Sequence, residues 1–105
     1  LDGFLPMGPC IATVNSLPYP PKVQVQSRVN GELRQDSNTD LLIFGIDHIV
    51  SELSKGMTLK PGTVIATGTP AGVGMGFEPP RFLTPGDVVE CSIEGIGRIA
   101  NTVTE

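Results

Sequence analysis

Val23-Gln24-Val25-Gln26-Ser27-Arg28-Val29-Asn30-Gly31-Glu32-Leu33 decides the fold. Valines at 23, 25 and 29 alternate with Gln24, Gln26 and Arg28, which is the two-residue period of a strand with one apolar face. Asn30-Gly31 stands where the alternation turns back through Leu33. Both residues tolerate positive φ, so the pair suits a type I′ turn and the stretch reads as a β-hairpin.

Beyond the hairpin the period changes. Ile46, Ile49, Val50, Leu53 and Met57 recur at helical spacing, with Asp47 in the first turn and Lys55-Gly56 as the stop. One amphipathic helix over residues 45–55 follows, turning Asp47, His48, Ser51, Glu52 and Lys55 to solvent. Leu59-Lys60-Pro61-Gly62-Thr63-Val64-Ile65 and Leu83-Thr84-Pro85-Gly86-Asp87-Val88-Val89 each place a Pro-Gly turn before β-branched residues, so a strand is expected over residues 63–67 and another from Val88. Residues 88–93 and 98–103, joined through Glu94-Gly95-Ile96-Gly97, form a second hairpin.

On the other side of the opening stretch, Pro18, Pro20 and Pro21 make a stiff connector, and Cys10-Ile11-Ala12-Thr13-Val14 reads as a short strand. Residues 1–9 are punctuated by Pro6, Gly8 and Pro9. The fold class is mainly β, of the α+β kind, with one amphipathic helix packed on the strands. The lack of an initiator Met and the apolar opening of Leu1, Phe4, Leu5 and Met7 suggest that the sequence begins inside a larger protein.

Composition narrows the function classes. A chain that is 39% hydrophobic and 17% charged is a packed unit rather than a disordered one, and 105 residues make one domain. The net charge of −4 offers no basic stripe for nucleic acid or an anionic membrane. No apolar run approaches the roughly 20 residues of a membrane span. The reading is a soluble, cytoplasmic protein. Cys10 and Cys91 have the spacing of neither a metal knuckle nor a redox pair, and are expected as reduced, buried thiols.

Chemistry-bearing groups are sparse. His48 falls opposite the apolar stripe of the helix and reads as a surface residue. Glu90 and Glu94 fall on one strand face but about 13 Å apart, too far to share an ion. No serine lies in a G-x-S-x-G elbow. The stretch Gly68-Thr69-Pro70-Ala71-Gly72-Val73-Gly74-Met75-Gly76 remains. It lacks Gly-Lys-Ser/Thr, and Glu78-Pro79-Pro80 stands where a phosphate-loop helix would begin. One reading is a wide loop whose glycines, Gly72, Gly74 and Gly76, take positive φ. The other is a site wall, with the Thr69 hydroxyl beside bare backbone N–H groups that can hold a carboxylate or enolate oxygen.

Five motifs in one order carry a resemblance. They are Leu1-Asp2-Gly3-Phe4-Leu5-Pro6-Met7-Gly8-Pro9, Val29-Asn30-Gly31-Glu32-Leu33-Arg34-Gln35, Gly56-Met57-Thr58-Leu59, Pro61-Gly62-Thr63-Val64-Ile65-Ala66-Thr67-Gly68-Thr69-Pro70-Ala71-Gly72-Val73-Gly74, and Pro85-Gly86-Asp87-Val88-Val89-Glu90. Together they resemble the C-terminal half of the fumarylacetoacetate hydrolase family. Pro79-Pro80-Arg81-Phe82-Leu83 leans toward its isomerase, lyase and domain-containing branch.

The resemblance implies a mixed β-roll, here partial, with residues 1–105 as the C-terminal part of a single catalytic domain. It implies Mg²⁺- or Mn²⁺-dependent hydrolysis, decarboxylation or isomerisation of a 2-oxo acid such as an acylpyruvate, oxaloacetate or a 2-hydroxy-dienedioate, with the metal stabilising an enolate. By the same resemblance the acidic metal ligands, a lid His-Glu pair and a substrate lysine belong to the preceding half. No catalytic residue or metal ligand is therefore assigned in this chain. Thr69 corresponds to the threonine that hydrogen-bonds the oxo acid, Gly68 and Pro70 shape that wall, and Gln35 lies near it. The expected partners are the missing half, the small-molecule acid and further copies in a homo-oligomer, expected as a homodimer. Taken alone, these residues read alternatively as a non-catalytic scaffold or oligomerisation module that binds no metal.

Overall fold

The computed structural model describes residues 2–105; Leu1, part of the apolar opening and of the first motif, lies outside the described residues. Strand β1 (Gln24–Val29) turns through Asn30, at φ 51°, and Gly31, at φ 82°, into β2 (Glu32–Asn38). Two consecutive positive φ values are the type I′ geometry that matches strand twist. The hairpin holds a bulge: Ser27 pairs with Gln35 and Arg28 with Leu33, leaving Arg34 without an opposite residue.

β3 (Val88–Ile93) and β4 (Gly97–Thr102) form the second hairpin within one residue of expectation. β1 pairs antiparallel with both β2 and β3, giving one four-stranded antiparallel sheet in the order β2-β1-β3-β4. Asn30 pins the first turn to the head of β3: its side chain donates to Asp87 Oδ1 at 2.8 Å and accepts from the Val88 N–H at 2.9 Å. Thr39 extends the other end, accepting from the Val23 N–H at 3.0 Å and donating to the Pro21 carbonyl at 2.7 Å.

Register sorts the sheet into two faces. Val25, Ser27 and Val29 stand opposite Ile93, Cys91 and Val89, and Cys91 stands opposite Ile99, so these residues share the more apolar face. Pro6, Met7 and Gly8 lie over its β3–β4 end and line a cavity there with Cys91, Ile93 and Ile99. The opposite face is polar, with Gln24, Gln26, Ser92 and Arg98 around an open hollow.

Helix α1 (Ile46–Gly56) begins after an extended Gly45 and carries Asp47 in its first turn and Lys55 in its last. Ile46, Ile49 and Leu53 are half-buried, whereas Val50 and Met57 are exposed, and no helix residue is fully buried. Gly56 does not form a left-handed cap: it is the last helical residue, and Met57 follows in extended backbone. The Tyr19 hydroxyl donates to Asp47 Oδ1 and ties the proline connector to the first turn.

Further expectations need correction. Residues 63–67 and 10–14 contain no strand, because neither segment finds a ladder partner among the described residues. Both cysteines are free, as expected, but exposed rather than buried, because the face around Cys91 is only partly covered. Glu94 follows the end of β3 instead of sharing its face with Glu90, and its carboxylate accepts from the Gln24 N–H at 3.2 Å.

Candidate functional site

The glycine-rich loop docks on the bulged part of β2, and its glycines are needed for different reasons. Gly68 and Gly72 have φ of 101° and 107°, which L side chains rarely adopt. Gly74 and Gly76 do not: they bound a 3₁₀ turn (Gly74–Gly76) at ordinary φ, contrary to the expectation that both would be left-handed. At Gly72 and Gly74 the requirement is close approach. A Cβ on Gly72 would stand 1.9 Å from the Arg34 carbonyl oxygen, and one on Gly74 would stand 2.3 Å from that of Arg81. Around Gly68 a Cβ would meet nothing within 4 Å, so its constraint is the turn alone.

Polar contacts fix the same docking. The Gln35 side chain, half-buried on β2, donates from Nε2 to Thr69 Oγ1 at 2.7 Å and to the Pro70 carbonyl at 2.8 Å. Its Oε1 accepts from the Ser27 hydroxyl at 2.8 Å. Three of the four residues expected at the site thus touch one another, Gln35 bridging to Thr69 and Pro70. Gly68 supplies the turn before them, and Thr69 itself is exposed.

A charged clamp closes the far side of the loop. Arg81 Nη1 and Nη2 each donate to one Glu32 oxygen at 2.8 Å, the bidentate arrangement that a guanidinium favours. That contact holds the Glu32 carboxyl below its usual range and raises Arg81, although both side chains face solvent. The guanidinium carbons of Arg34 and Arg81 lie 5.2 and 5.3 Å from the Phe77 ring centroid. Arg34 Nε stands 3.5 Å from Glu32 without a well-directed hydrogen bond.

Sequence reasoning placed the Arg34-Gln35 region near the site but missed Ser27, Glu32, Phe77 and Arg81. Ser27 left a readable trace, being the one polar residue within the Val25–Val29 apolar alternation. The clamp left none, since it joins residues 49 positions apart.

The remaining candidates settle into ordinary roles. His48 is on the exposed surface of α1, its ring stacked 4.8 Å from Phe44. Glu90 pairs with Arg98 at 3.2 Å. No three His, Cys, Asp or Glu side chains among the described residues converge as a metal site, and Glu32, the carboxylate at the loop, is engaged by Arg81. These residues do not fit a Mg²⁺ or Mn²⁺ ion.

The fold has close counterparts among solved structures. A fumarylacetoacetate hydrolase from Exiguobacterium antarcticum is 54% identical and superposes with a TM-score of 0.93 over 99% of this chain and 37% of its own. A maleylpyruvate hydrolase from Sphingobium sp. SYK-6, solved with manganese(II) and pyruvate, is 37% identical, with a TM-score of 0.81 over 92% of this chain and 34% of that one. A 2-hydroxyhepta-2,4-diene-1,7-dioate isomerase from Mycobacterium marinum is 42% identical, with a TM-score of 0.70 over 79% and 30%. An uncharacterised Staphylococcus aureus protein (strain USA300) is 49% identical over all 105 residues, and the chain spans about a third (35%) of its length. The family model described as fumarylacetoacetate hydrolase C-terminal matches residues 1–104. On that match over nearly its whole length, the chain belongs to the fumarylacetoacetate hydrolase family.

Proposed function

We propose that residues 1–105 are the C-terminal part of a single catalytic domain in a divalent-metal-dependent hydrolase, lyase or isomerase of 2-oxo acids. Acylpyruvates, oxaloacetate and 2-hydroxy-dienedioates are the substrate class. The observation that carries this reading is the exposed Thr69 hydroxyl, held at the rim of a glycine loop by Gln35. Thr69 contacts a carboxylate or enolate oxygen, Gly68 lets the backbone approach it, and Pro70 stiffens the wall. The chemistry named for the hydrolase and isomerase relatives supports the substrate class, and the manganese and pyruvate of one of them support the metal. Since these residues do not fit the ion, its ligands belong to another part of the protein, and the role of this chain is to bind and orient the acid. Two unpaired thiols support a cytoplasmic location.

The test is turnover of an acylpyruvate, oxaloacetate and a 2-hydroxy-dienedioate by the full-length protein with Mg²⁺ or Mn²⁺. Loss of all three would count against the reading.

For the 105 residues alone, a second reading has its own support: they are a scaffold that needs covering. The accessible surface is 8187 Å², where a folded monomer of this size exposes about 5,700 Å². Among the described residues only Val23 is buried, and Ile11 and Ile43 are more than 90% exposed. The remainder of the domain and a second copy are the proposed covers. Calorimetry of the isolated chain with Mg²⁺ and oxalate decides; millimolar or tighter binding would refute the scaffold reading.

A further inference from the structure

We propose that Ser27 and Gln35 are positioning residues that fix the Thr69 hydroxyl as a hydrogen-bond donor toward an anionic oxygen of the bound acid. The inference rests on the reading of Thr69 as the acid's contact.

A glutamine amide has two N–H donors on one side and a carbonyl acceptor on the other. The Pro70 carbonyl, 2.8 Å from the amide, can only accept, so the nitrogen of Gln35 must face the loop. With one N–H on Pro70, the other is spent on Thr69 Oγ1 at 2.7 Å. The threonine oxygen is then an acceptor within the protein, and its own proton is left for a partner outside. A carboxylate or enolate oxygen satisfies that proton, whereas an ammonium could use only the remaining lone pair and would leave the proton unpartnered. Gln35 therefore favours an accepting ligand atom without touching ligand through its amide nitrogen, whose two protons are both engaged.

Ser27 closes the chain. Its hydroxyl donates to Gln35 Oε1 at 2.8 Å and favours the same amide orientation from the opposite side. It can do so because the bulge at Arg34 keeps Gln35 directly across from Ser27. A serine in the middle of an otherwise apolar strand face leaves a hydroxyl that must be paired, and Gln35 is the partner it finds.

The experiment is oxalate titration by calorimetry of the full-length protein with Mg²⁺, with thermal midpoints recorded alongside. Thr69→Val is expected to weaken oxalate about tenfold, and Thr69→Ser to bind like wild type. Ser27→Ala is expected to weaken oxalate about threefold, with Ser27→Thr restoring it, while the midpoint moves little. Combining Ser27→Ala with Thr69→Val should be no worse than Thr69→Val alone, because both act on one proton. Wild-type affinity in Ser27→Ala, or additive losses in the double variant, overturns the positioning role. Wild-type affinity in Thr69→Val instead overturns the contact itself. Should Ser27→Ala not fold, Gln35→Glu carries the test: an acceptor replaces the donor and turns the Thr69 proton inward. At least tenfold weaker oxalate binding is then expected, and unchanged affinity sinks the proposal.

Discussion

Gly72 lies against the Arg34 carbonyl so closely that a single added methyl group would stand 1.9 Å from the oxygen. Loop and strand meet backbone to backbone, with no side chain between them to yield. Gly72→Ala should therefore undock the glycine-rich loop, through both the collision and a φ of 107°. A loss of roughly 1–3 kcal/mol is expected from the backbone strain alone. Gly68→Ala should cost less, since a Cβ there meets nothing within 4 Å. Amide hydrogen exchange over residues 68–76 checks both, and equal protection in the two variants would sink the distinction.

The Glu32–Arg81 pair holds the same loop from the other side, but in contact with solvent. Arg81→Lys keeps the charge and loses the two-pronged geometry, so loop protection should fall measurably, though less than in Gly72→Ala. Wild-type protection should also weaken as salt is raised, and the Lys variant should respond less. Protection indifferent to both salt and substitution would show that the ion pair contributes nothing.

Acid should loosen the turn between the hairpins. Asp87 accepts from the Thr84 N–H and from the Asn30 amide, both at 2.8 Å, and these bonds hold its carboxyl below the ordinary 3.8. Because the folded value is the depressed one, the stabilisation is complete above the unfolded value and is lost as pH falls through the folded one. Glu32, held below 4.5 chiefly by Arg81, acts in the same direction. Thermal midpoints measured from about pH 6 down to about pH 2.5 should fall, and Asp87→Asn should flatten the slope. An identical slope in that variant would exclude Asp87 as a source.

Asn30→Gly preserves the left-handed φ of 51° and removes both side-chain hydrogen bonds to the head of β3. About 1–3 kcal/mol of stability should be lost for two such bonds. A midpoint unchanged from wild type in thermal denaturation would mean that backbone pairing alone sets the β1–β3 register.

Expressed alone, the 105 residues should associate. The Cα radius of gyration is 15.3 Å, against about 13 Å for a compact chain near this length, and β2 and β4 each leave one sheet edge unpaired among the described residues. Sedimentation velocity showing a single stable monomer would contradict this.

What could be read from the sequence was local. Asn30-Gly31, the Pro-Gly turn before β3 and the spacing of Ile46, Ile49 and Leu53 each act within a few residues, so both hairpins and the helix were legible. The strand expected over residues 63–67 had suitable residues but no ladder partner, which no local pattern reveals. Burial of Cys10 and Cys91 failed because burial depends on what covers a surface, while the sequence speaks only of affinity for cover. At the site, Thr69 stands out by its hydroxyl beside the loop's bare backbone N–H groups, whereas Gly68, Pro70 and Gln35 come from a family resemblance. The Gln35–Thr69 bond itself spans 34 positions and only the fold discloses it.

The bulge at Arg34 carries a consequence of parity. In an unbroken ladder Arg34 would fall opposite Ser27, and Gln35 would point to the sheet's polar side, away from Thr69. One supernumerary residue reverses that, and its carbonyl also serves as the seat for Gly72. The parity of the count between the turn and the glutamine sets the face Gln35 joins, and the single extra residue moves it to the face where it meets Thr69.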